Sequence, residues 1–361
     1  MQVLNIHPDI TRAKTIDTSF YNEEKYYEAS KEKIFANSWQ LVADEDKVQQ
    51  SGSVYPVTLL PGFLSEPLLI SKDKNGQVRC LSNVCTHRGN LLATGPCKLS
   101  QLTCKYHGRR FSLDGKFLSM PEFAEVKDFP TEADNLHELA LYRWGKLLFA
   151  SLHPSIPAED FFSEIRERIH WFPVDKLQFD AGHSKNYTIN ANWALYCENY
   201  LEGFHIPFVH AGLNQVLDFG EYTTELFRYS NLQLGIAKDN EPCFDLPETS
   251  KDYGKKVAAY YFWVFPNLML NFYPWGLSVN IVKPVSVGKT EVSFLTYVLD
   301  ETKMNSGAGA DLHQVELEDE EVVENVQIGV RSRFYSHGRY SATREQGTHH
   351  FHSLISEFMN R

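Results

Sequence analysis

Residues 84–108 read VCTHRGNLLATGPCKLSQLTCKYHG. Two half-motifs stand in this stretch, Cys85-Thr86-His87 and Cys104-Lys105-Tyr106-His107. Each offers one thiolate and one imidazole, and a turn follows each, at Arg88-Gly89-Asn90 and at Gly108. Two such loops facing one another can close around a single metal centre. Structural zinc sites usually pair cysteines two to four residues apart, which is not the spacing here.

Two cysteines and two histidines instead suit a Rieske [2Fe-2S] cluster. There, two thiolates hold one iron and two imidazoles replace thiolates on the other, which raises the reduction potential. Cys80 and Cys97 lie near these loops and read as further ligands, a supporting disulfide or small buried residues. Around the motif the texture is β-rich, from Trp39 to about Leu152. Segments 53–60, 67–72 and 77–81 are short, rich in Val and Leu, and punctuated by turn residues.

Outside that stretch, 19–37 and Asp160–Arg168 have near-helical apolar spacing. Residues 183–193 read as a strand entering a helix near Asn192. Segments 256–270, 276–286 and 289–299 read as strands, with Ser286–Lys289 as a hairpin turn. Residues 314–336 read as a long helix. The expected fold is α+β: a β-rich cluster domain (39–152) set within a larger domain of antiparallel sheet and helices, formed by 1–38 and 153–361.

A second constellation lies in 192–210, NWALYCENYLEGFHIPFVH. Spacing places Glu198, Glu202 and His205 on one helical face. His210 would point about 140° away from His205 on a regular helix, so the two converge only if the helix is distorted, for which Pro207 offers a cause. Two histidines and a carboxylate from elsewhere make a facial triad, a site that leaves positions open for dioxygen and suits non-haem Fe(II). The carboxylate is sought in the acidic run Glu316, Glu318, Asp319, Glu320, Glu321 and Glu324, most of which reads as a solvated helix face. Asp319 is favoured, as the run's only Asp and because Val322, Val323 and Val326 after it mark a buried face; Glu318 and Glu320 are the alternatives.

Together these motifs resemble the catalytic α subunits of Rieske non-haem iron oxygenases, the ring-hydroxylating family, over nearly the whole chain. YFWVFPNLMLNFYPWG (261–276) resembles the family's substrate-pocket strand, and LEDEEVVENVQIG (317–329) its carboxylate-bearing helix. The resemblance implies that Cys85, His87, Cys104 and His107 hold the cluster. It implies that His205, His210 and Asp319 hold the mononuclear iron, and that Glu202 is the acid bridging the two metal sites. It also implies a head-to-tail homotrimer in which an electron crosses from one subunit's cluster to its neighbour's iron.

Respiratory Rieske proteins carry extra cysteines where this chain has Asn90 and Tyr106. Within the family, Glu202 replaces a commoner Asp, as in members acting on carnitine- and choline-type compounds, and Arg109 replaces a commoner Trp. The resemblance implies insertion of oxygen from O2 into a small organic substrate, and Glu202 points to monooxygenation or N-demethylation of a quaternary ammonium compound, whereas Arg109 carries no functional reading. Aromatic ring hydroxylation or dihydroxylation is the alternative. A Rieske electron carrier without oxygenase chemistry is the reading from another class, and it would need only the region near 39–150.

The aromatic group Tyr260, Tyr261, Phe262, Trp263, Phe265, Phe272, Tyr273 and Trp275 could cage an onium cation, line a pocket for a flat ring, or fill a core. No G-x-G-x-x-G fingerprint is present, so electrons are expected from a separate NAD(P)H-dependent reductase, with or without a ferredoxin.

The 361 residues carry 46 acidic against 35 basic side chains, a net charge of −11. That argues against a nucleic-acid or polybasic membrane-surface role. With no secretory signal and no apolar run of about 20 residues, the expected location is the cytoplasm. His349, His350 and His352 lack a partner Cys or acid at suitable spacing and read as structural or exposed.

Overall fold

The computed structural model describes residues 2–361. The chain divides into two compact units, 39–155 and the combination of 1–38 with 156–361. Both are built on antiparallel sheets, as an α+β chain of this texture requires.

The first unit contains β1 (Gln40–Asp44), β2 (Ser53–Leu59), β3 (Glu66–Lys72), β4 (Val78–Ser82), β5 (Cys97–Lys98), β6 (Leu102–Thr103), β7 (Arg110–Phe111), β8 (Phe117–Ser119), β9 (Glu138–Trp144) and β10 (Leu147–Ser151). Seven strands form a sheet in the order β1-β10-β9-β4-β3-β2-β5, and β6-β7-β8 form a small second sheet. Leu69, Leu81, Leu102, Phe111 and Leu136 are buried together, and Cys85 and Cys104 sit in that same cluster. The two cluster loops are thus anchored on a packed base. All six cysteines are free; Cys80 is buried, but Cys97 is exposed on the edge strand β5, so neither forms a disulfide.

The second unit is a seven-stranded sheet, ordered β11-β17-β16-β15-β14-β13-β12. Its strands are β11 (Gln178–Ile189), β12 (Thr223–Leu226), β13 (Ser230–Ile236), β14 (Val257–Val264), β15 (Leu268–Tyr273), β16 (Gly276–Ser286) and β17 (Lys289–Val298). The stretch 256–270, expected as one strand, is two: the chain turns at 265–267, and β14 pairs with β15 from Tyr260↔Phe272 to Val264↔Leu268. The helices are α1 (Ser19–Asn22), α2 (Glu24–Ser30), α3 (Glu159–Arg168), α4 (Trp193–Tyr200), α5 (Ile206–Val209), α6 (Ala211–Val216), α7 (Leu312–Gly329) and α8 (Gln346–Met359). The expected helix 314–336 ends at Gly329, and α8 is an element that the sequence reading missed.

The aromatic group divides by strand alternation. Tyr260 and Phe262 stack at 6.4 Å and pack with Phe272, while Trp263 and Phe265 pack against Phe351 and Phe358 of α8. These five fill core on either side of the sheet. Of the eight, Tyr261 and Tyr273 reach the cavity described below.

A buried ion pair ties α3 to this sheet. Arg168 donates to both oxygens of Asp252 at 2.6 and 2.9 Å, and Asp252 also accepts from Lys255 (2.9 Å) and Tyr260 (3.1 Å). Burial raises the Asp252 carboxyl, but the Lys255 and Arg168 bonds outweigh it and hold it below the ordinary 3.8. A depressed folded-state pKa stabilises the fold above the unfolded value, and that stability is lost as pH falls through the folded one. Arg168→Met should therefore cost about 3–5 kcal/mol at neutral pH. In urea denaturation series the deficit should begin to shrink as pH falls through about 4, where the unfolded state protonates, and go on shrinking until pH passes the lower folded-state value of Asp252.

Candidate active site

In the first unit the two cluster loops repeat one backbone design. The Cys85 N–H donates to Asn90 O (2.9 Å) and the Gly89 N–H returns to Cys85 O (3.0 Å). The Cys104 N–H donates to Arg109 O (2.8 Å) and the Gly108 N–H returns to Cys104 O (2.9 Å). Each loop closes through a glycine with positive φ, +72° at Gly89 and +75° at Gly108, a conformation other residues resist. The His87 and His107 rings lie 4.8 Å apart at 72°.

His107 Nδ1 is buried with no hydrogen-bond partner, the state expected of a nitrogen reserved for a metal. Burial raises the Cys104 thiol, but the Tyr106 and His107 N–H groups, the Cys85 thiol and the Asn90 amide outweigh it and hold it below its ordinary value. Donors aimed at sulfur favour the thiolate that iron needs. The donor set and its orphaned nitrogen fit a [2Fe-2S] cluster.

Arg109, unexplained by its sequence, proves to be a clamp. It is buried, donates to Asp134 Oδ1 (2.6 Å) and Asp134 O (3.2 Å), and lies over the rings of Phe117, Phe129 and Phe111 at 5.0, 5.4 and 5.6 Å. Thr86, in the other cluster loop, donates to the same Asp134 carbonyl (2.8 Å). One turn thereby holds both loops. Arg109→Met should destabilise this unit by about 3 kcal/mol, seen as loss of the cluster's visible absorption at lower urea concentration.

In the second unit, α4 starts at Asn192, whose side chain accepts from the Ala194 N–H (3.0 Å), and ends at Tyr200. Glu202 and His205 therefore lie beyond the helix rather than on its face. Glu198 turns elsewhere, accepting from Tyr21 (2.7 Å) with His352 at 3.0 Å. Gly203 is required, because a Cβ there would lie 2.6 Å from the Tyr222 ring. His205 and His210 flank the single-turn helix α5. Pro207 sits in its first turn, where a missing N–H costs little, so the distortion lies at His210 (φ −105°, ψ 78°) and not at the proline.

These turns bring the predicted residues together. His205 Nε2 and His210 Nε2 are 3.1 Å apart, and Asp319 Oδ1 lies 3.0 Å from the latter and 3.6 Å from the former. Each ring's other nitrogen meets a carboxylate. His205 Nδ1 donates to Glu202 Oε1 (2.7 Å) and His210 Nδ1 to Glu318 Oε2 (2.7 Å). With both Nδ1–H groups committed, both Nε2 lone pairs converge on one point beside a carboxylate oxygen. Such a trio can hold a metal ion, and its chemistry suits iron. Glu318 stands behind His210, which explains why it is not itself in the trio.

Asp319 arrives there on a helix whose buried face is polar. Val326 is 43% exposed and Val322 half-buried; of the three valines expected inside, Val323 is buried. The inward positions are Glu316, Asp319, Val323 and Gln327. Each polar one has a partner across the interface. Glu316 accepts from Tyr196 (2.5 Å), Asp319 from Asn199 (2.6 Å), and Gln327 from the Asn192 N–H (2.7 Å).

A cavity of about 100 Å³ adjoins the trio. Its wall includes Glu202, Glu316, Tyr196, Asn199, Asn271, Phe294 and four further tyrosines, Tyr200, Tyr222, Tyr261 and Tyr273. Tyr222 and Tyr261 lie 6.5 Å apart, and Tyr261 and Tyr273 5.9 Å. Burial pushes all four hydroxyls up, so they stay neutral. Tyr196, Tyr200, Tyr222 and Glu316 were not foreseen as cavity residues: two lie in the iron-site segment, and Glu316 was read as solvated.

Residues 38–130 match the Rieske [2Fe-2S] domain, and residues 177–361 match the ring hydroxylating alpha subunit (catalytic domain). The chain belongs to the ring-hydroxylating α-subunit family. As a member it is a Rieske non-haem iron oxidoreductase, using a [2Fe-2S] cluster, a mononuclear iron and O2, and the family draws its electrons from a separate reductase.

Among similar proteins, the chloroplastic choline monooxygenase of Arabidopsis thaliana is 29% identical, over 96% of this chain and 83% of that one. The carnitine monooxygenase oxygenase subunit of Escherichia coli (strain K12) is 27% identical, over 96% and 94%. The crystal structure of the quaternary ammonium Rieske monooxygenase CntA with L-carnitine superposes with a TM-score of 0.77 at 25% identity, covering 98% of this chain and 97% of that one. Naphthalene 1,2-dioxygenase from Rhodococcus sp. shares the α-subunit fold, with a TM-score of 0.76 at 19% identity over 96% and 94%. No described helix is long and apolar enough to cross a membrane.

Proposed function

We propose that this chain is the oxygenase component of a quaternary ammonium monooxygenase, inserting oxygen at a C–H bond of an onium substrate. The carrying observation is the group of neutral tyrosines, Tyr200, Tyr222, Tyr261 and Tyr273, in the cavity wall beside the His205–His210–Asp319 trio. Aromatic faces attract a cation within about 6 Å of the ring centroid and need no hydrogen bond from it, which a quaternary nitrogen cannot give. The names of the choline and carnitine relatives support the same substrate class.

In this reading Cys85, His87, Cys104 and His107 hold the cluster, and His205, His210 and Asp319 hold the iron. When bound, these centres supply an electron from the reductase and activated dioxygen. The side chains do the rest. Glu202 and Glu318 fix the two imidazoles through Nδ1. Asn199 orients Asp319. The tyrosines place the substrate and exclude water.

The protein acts in the cytoplasm as a homotrimer, with an NAD(P)H-dependent reductase as partner, with or without a ferredoxin. Phe204, whose N–H meets Glu202, is 42% exposed, Phe208, 6.3 Å from the Phe204 ring, is 81% exposed, and Tyr106, in the second cluster loop, is 59% exposed. Apolar surface of this kind at both centres supports their meeting across subunits. Glu202 then bridges to a cluster histidine of a neighbouring copy.

Reductase-coupled oxygen uptake over choline, carnitine, glycine betaine and simple aromatic acids tests the function. Uptake with formation of oxidised product is expected from onium compounds. Turnover confined to the aromatic acids would select ring hydroxylation, and no turnover with any compound would favour an electron carrier.

A further inference from the structure

Glu316 is 2% exposed in the cavity wall. Its Oε2 is taken by Tyr196, whereas its Oε1 is buried with no hydrogen-bond partner. The other acids of the wall are committed. Glu202 accepts from His205 Nδ1 and from the Phe204 and His205 N–H groups, and Asp319 faces the two imidazoles and Asn199. Among the described residues no Lys or Arg lines this cavity. Burial holds the Glu316 carboxyl well above its ordinary range, and a cation seated beside it would favour its charged form and offset that cost.

We propose that Glu316 is the counter-charge for the substrate's quaternary nitrogen, and that the cavity selects an onium without a carboxylate over a zwitterion. This rests on the quaternary ammonium reading above and narrows it. An onium head cannot donate a hydrogen bond, so its attraction to Glu316 is Coulombic and compatible with tyrosine faces on the other sides. A substrate carboxylate in the same cavity would lie beside Glu202 and Glu316 with no Lys or Arg to neutralise it, and would have only neutral donors such as the Asn271 and Asn280 amides and the tyrosine hydroxyls. A hydroxyalkyl trimethylammonium such as choline is therefore favoured over carnitine and glycine betaine.

The test is calorimetric binding to the iron-loaded protein of choline, of its uncharged carbon isostere 3,3-dimethylbutan-1-ol, and of carnitine. Wild type should bind choline at least about tenfold more tightly than either other compound. Glu316→Gln, which keeps the shape and can still accept from Tyr196, should lose about tenfold or more for choline and little for the isostere, with iron content and cluster absorption unchanged. Glu316→Met should give the same pattern and serves if the first variant folds poorly. Choline binding unchanged in both variants would overturn the role of Glu316 while leaving the onium reading intact. Carnitine bound more tightly than choline by wild type would overturn the selection against zwitterions. If wild type does not prefer either onium to the isostere, the quaternary ammonium reading itself fails.

Discussion

Asp319→Ala should yield a protein that keeps the red-brown Rieske absorption and loses its mononuclear iron, so that metal analysis falls from about three irons per chain to about two. Among the described residues, Asp319 Oδ1 is the one carboxylate oxygen within reach of both Nε2 atoms, 3.0 Å from His210 and 3.6 Å from His205. Its removal leaves two imidazoles, too few to retain Fe(II) against water and chelators. The cluster ligands lie in the other compact unit and should be unaffected. Oxygen uptake should vanish with the iron. If iron and activity persisted, the ligand would have to be Glu318 or Glu320. Glu318 would then have to abandon His210 Nδ1, which it holds at 2.7 Å.

Glu202→Gln should lower turnover by about a hundredfold or more while both metals stay bound. The carboxylate accepts from His205 Nδ1 at 2.7 Å and from the His205 N–H at 3.1 Å, so it fixes the orientation of that ring. Gln preserves the size and one acceptor but loses the charge through which the proposed bridge would link His205 to a neighbouring cluster histidine. Stopped-flow mixing of the reduced protein with O2 and substrate should show slow reoxidation of the cluster. A matched loss of iron would instead make Glu202 a ligand and remove the bridge. A rate equal to wild type would show that electrons take another route.

The cluster loops were legible because the constraint is chemical and local. Two Cys, two His and the turn glycines Gly89 and Gly108 stand at fixed offsets, and the loops need those glycines to close. The iron trio was half legible. The His205–His210 spacing pointed to a distorted helix, but the distortion was placed at Pro207, whereas the chain breaks on both sides of α5. On α7, apolar periodicity misled, since the helix buries Glu316, Asp319 and Gln327 through partners from distant segments, while Val326 faces outward. A hydrophobic pattern cannot report a face held by hydrogen bonds. The aromatic run was legible as strand but not as pocket, because alternation sends Tyr260 and Phe262 to core and Tyr261 to the cavity. Arg109 lacked meaning until Asp134, 25 residues away, was seen to receive it.

One chain thus couples a Rieske cluster to oxygen chemistry at a mononuclear iron. A single-turnover experiment tests it without knowledge of the reductase. The purified protein, loaded with both metals, is reduced with dithionite, freed of reductant, and mixed with choline and isotopically labelled O2. The expected result is reoxidation of the cluster together with a labelled oxidised product in an amount comparable to the protein. A cluster that reoxidises with no product and no dependence on substrate would contradict the claim and leave an electron carrier.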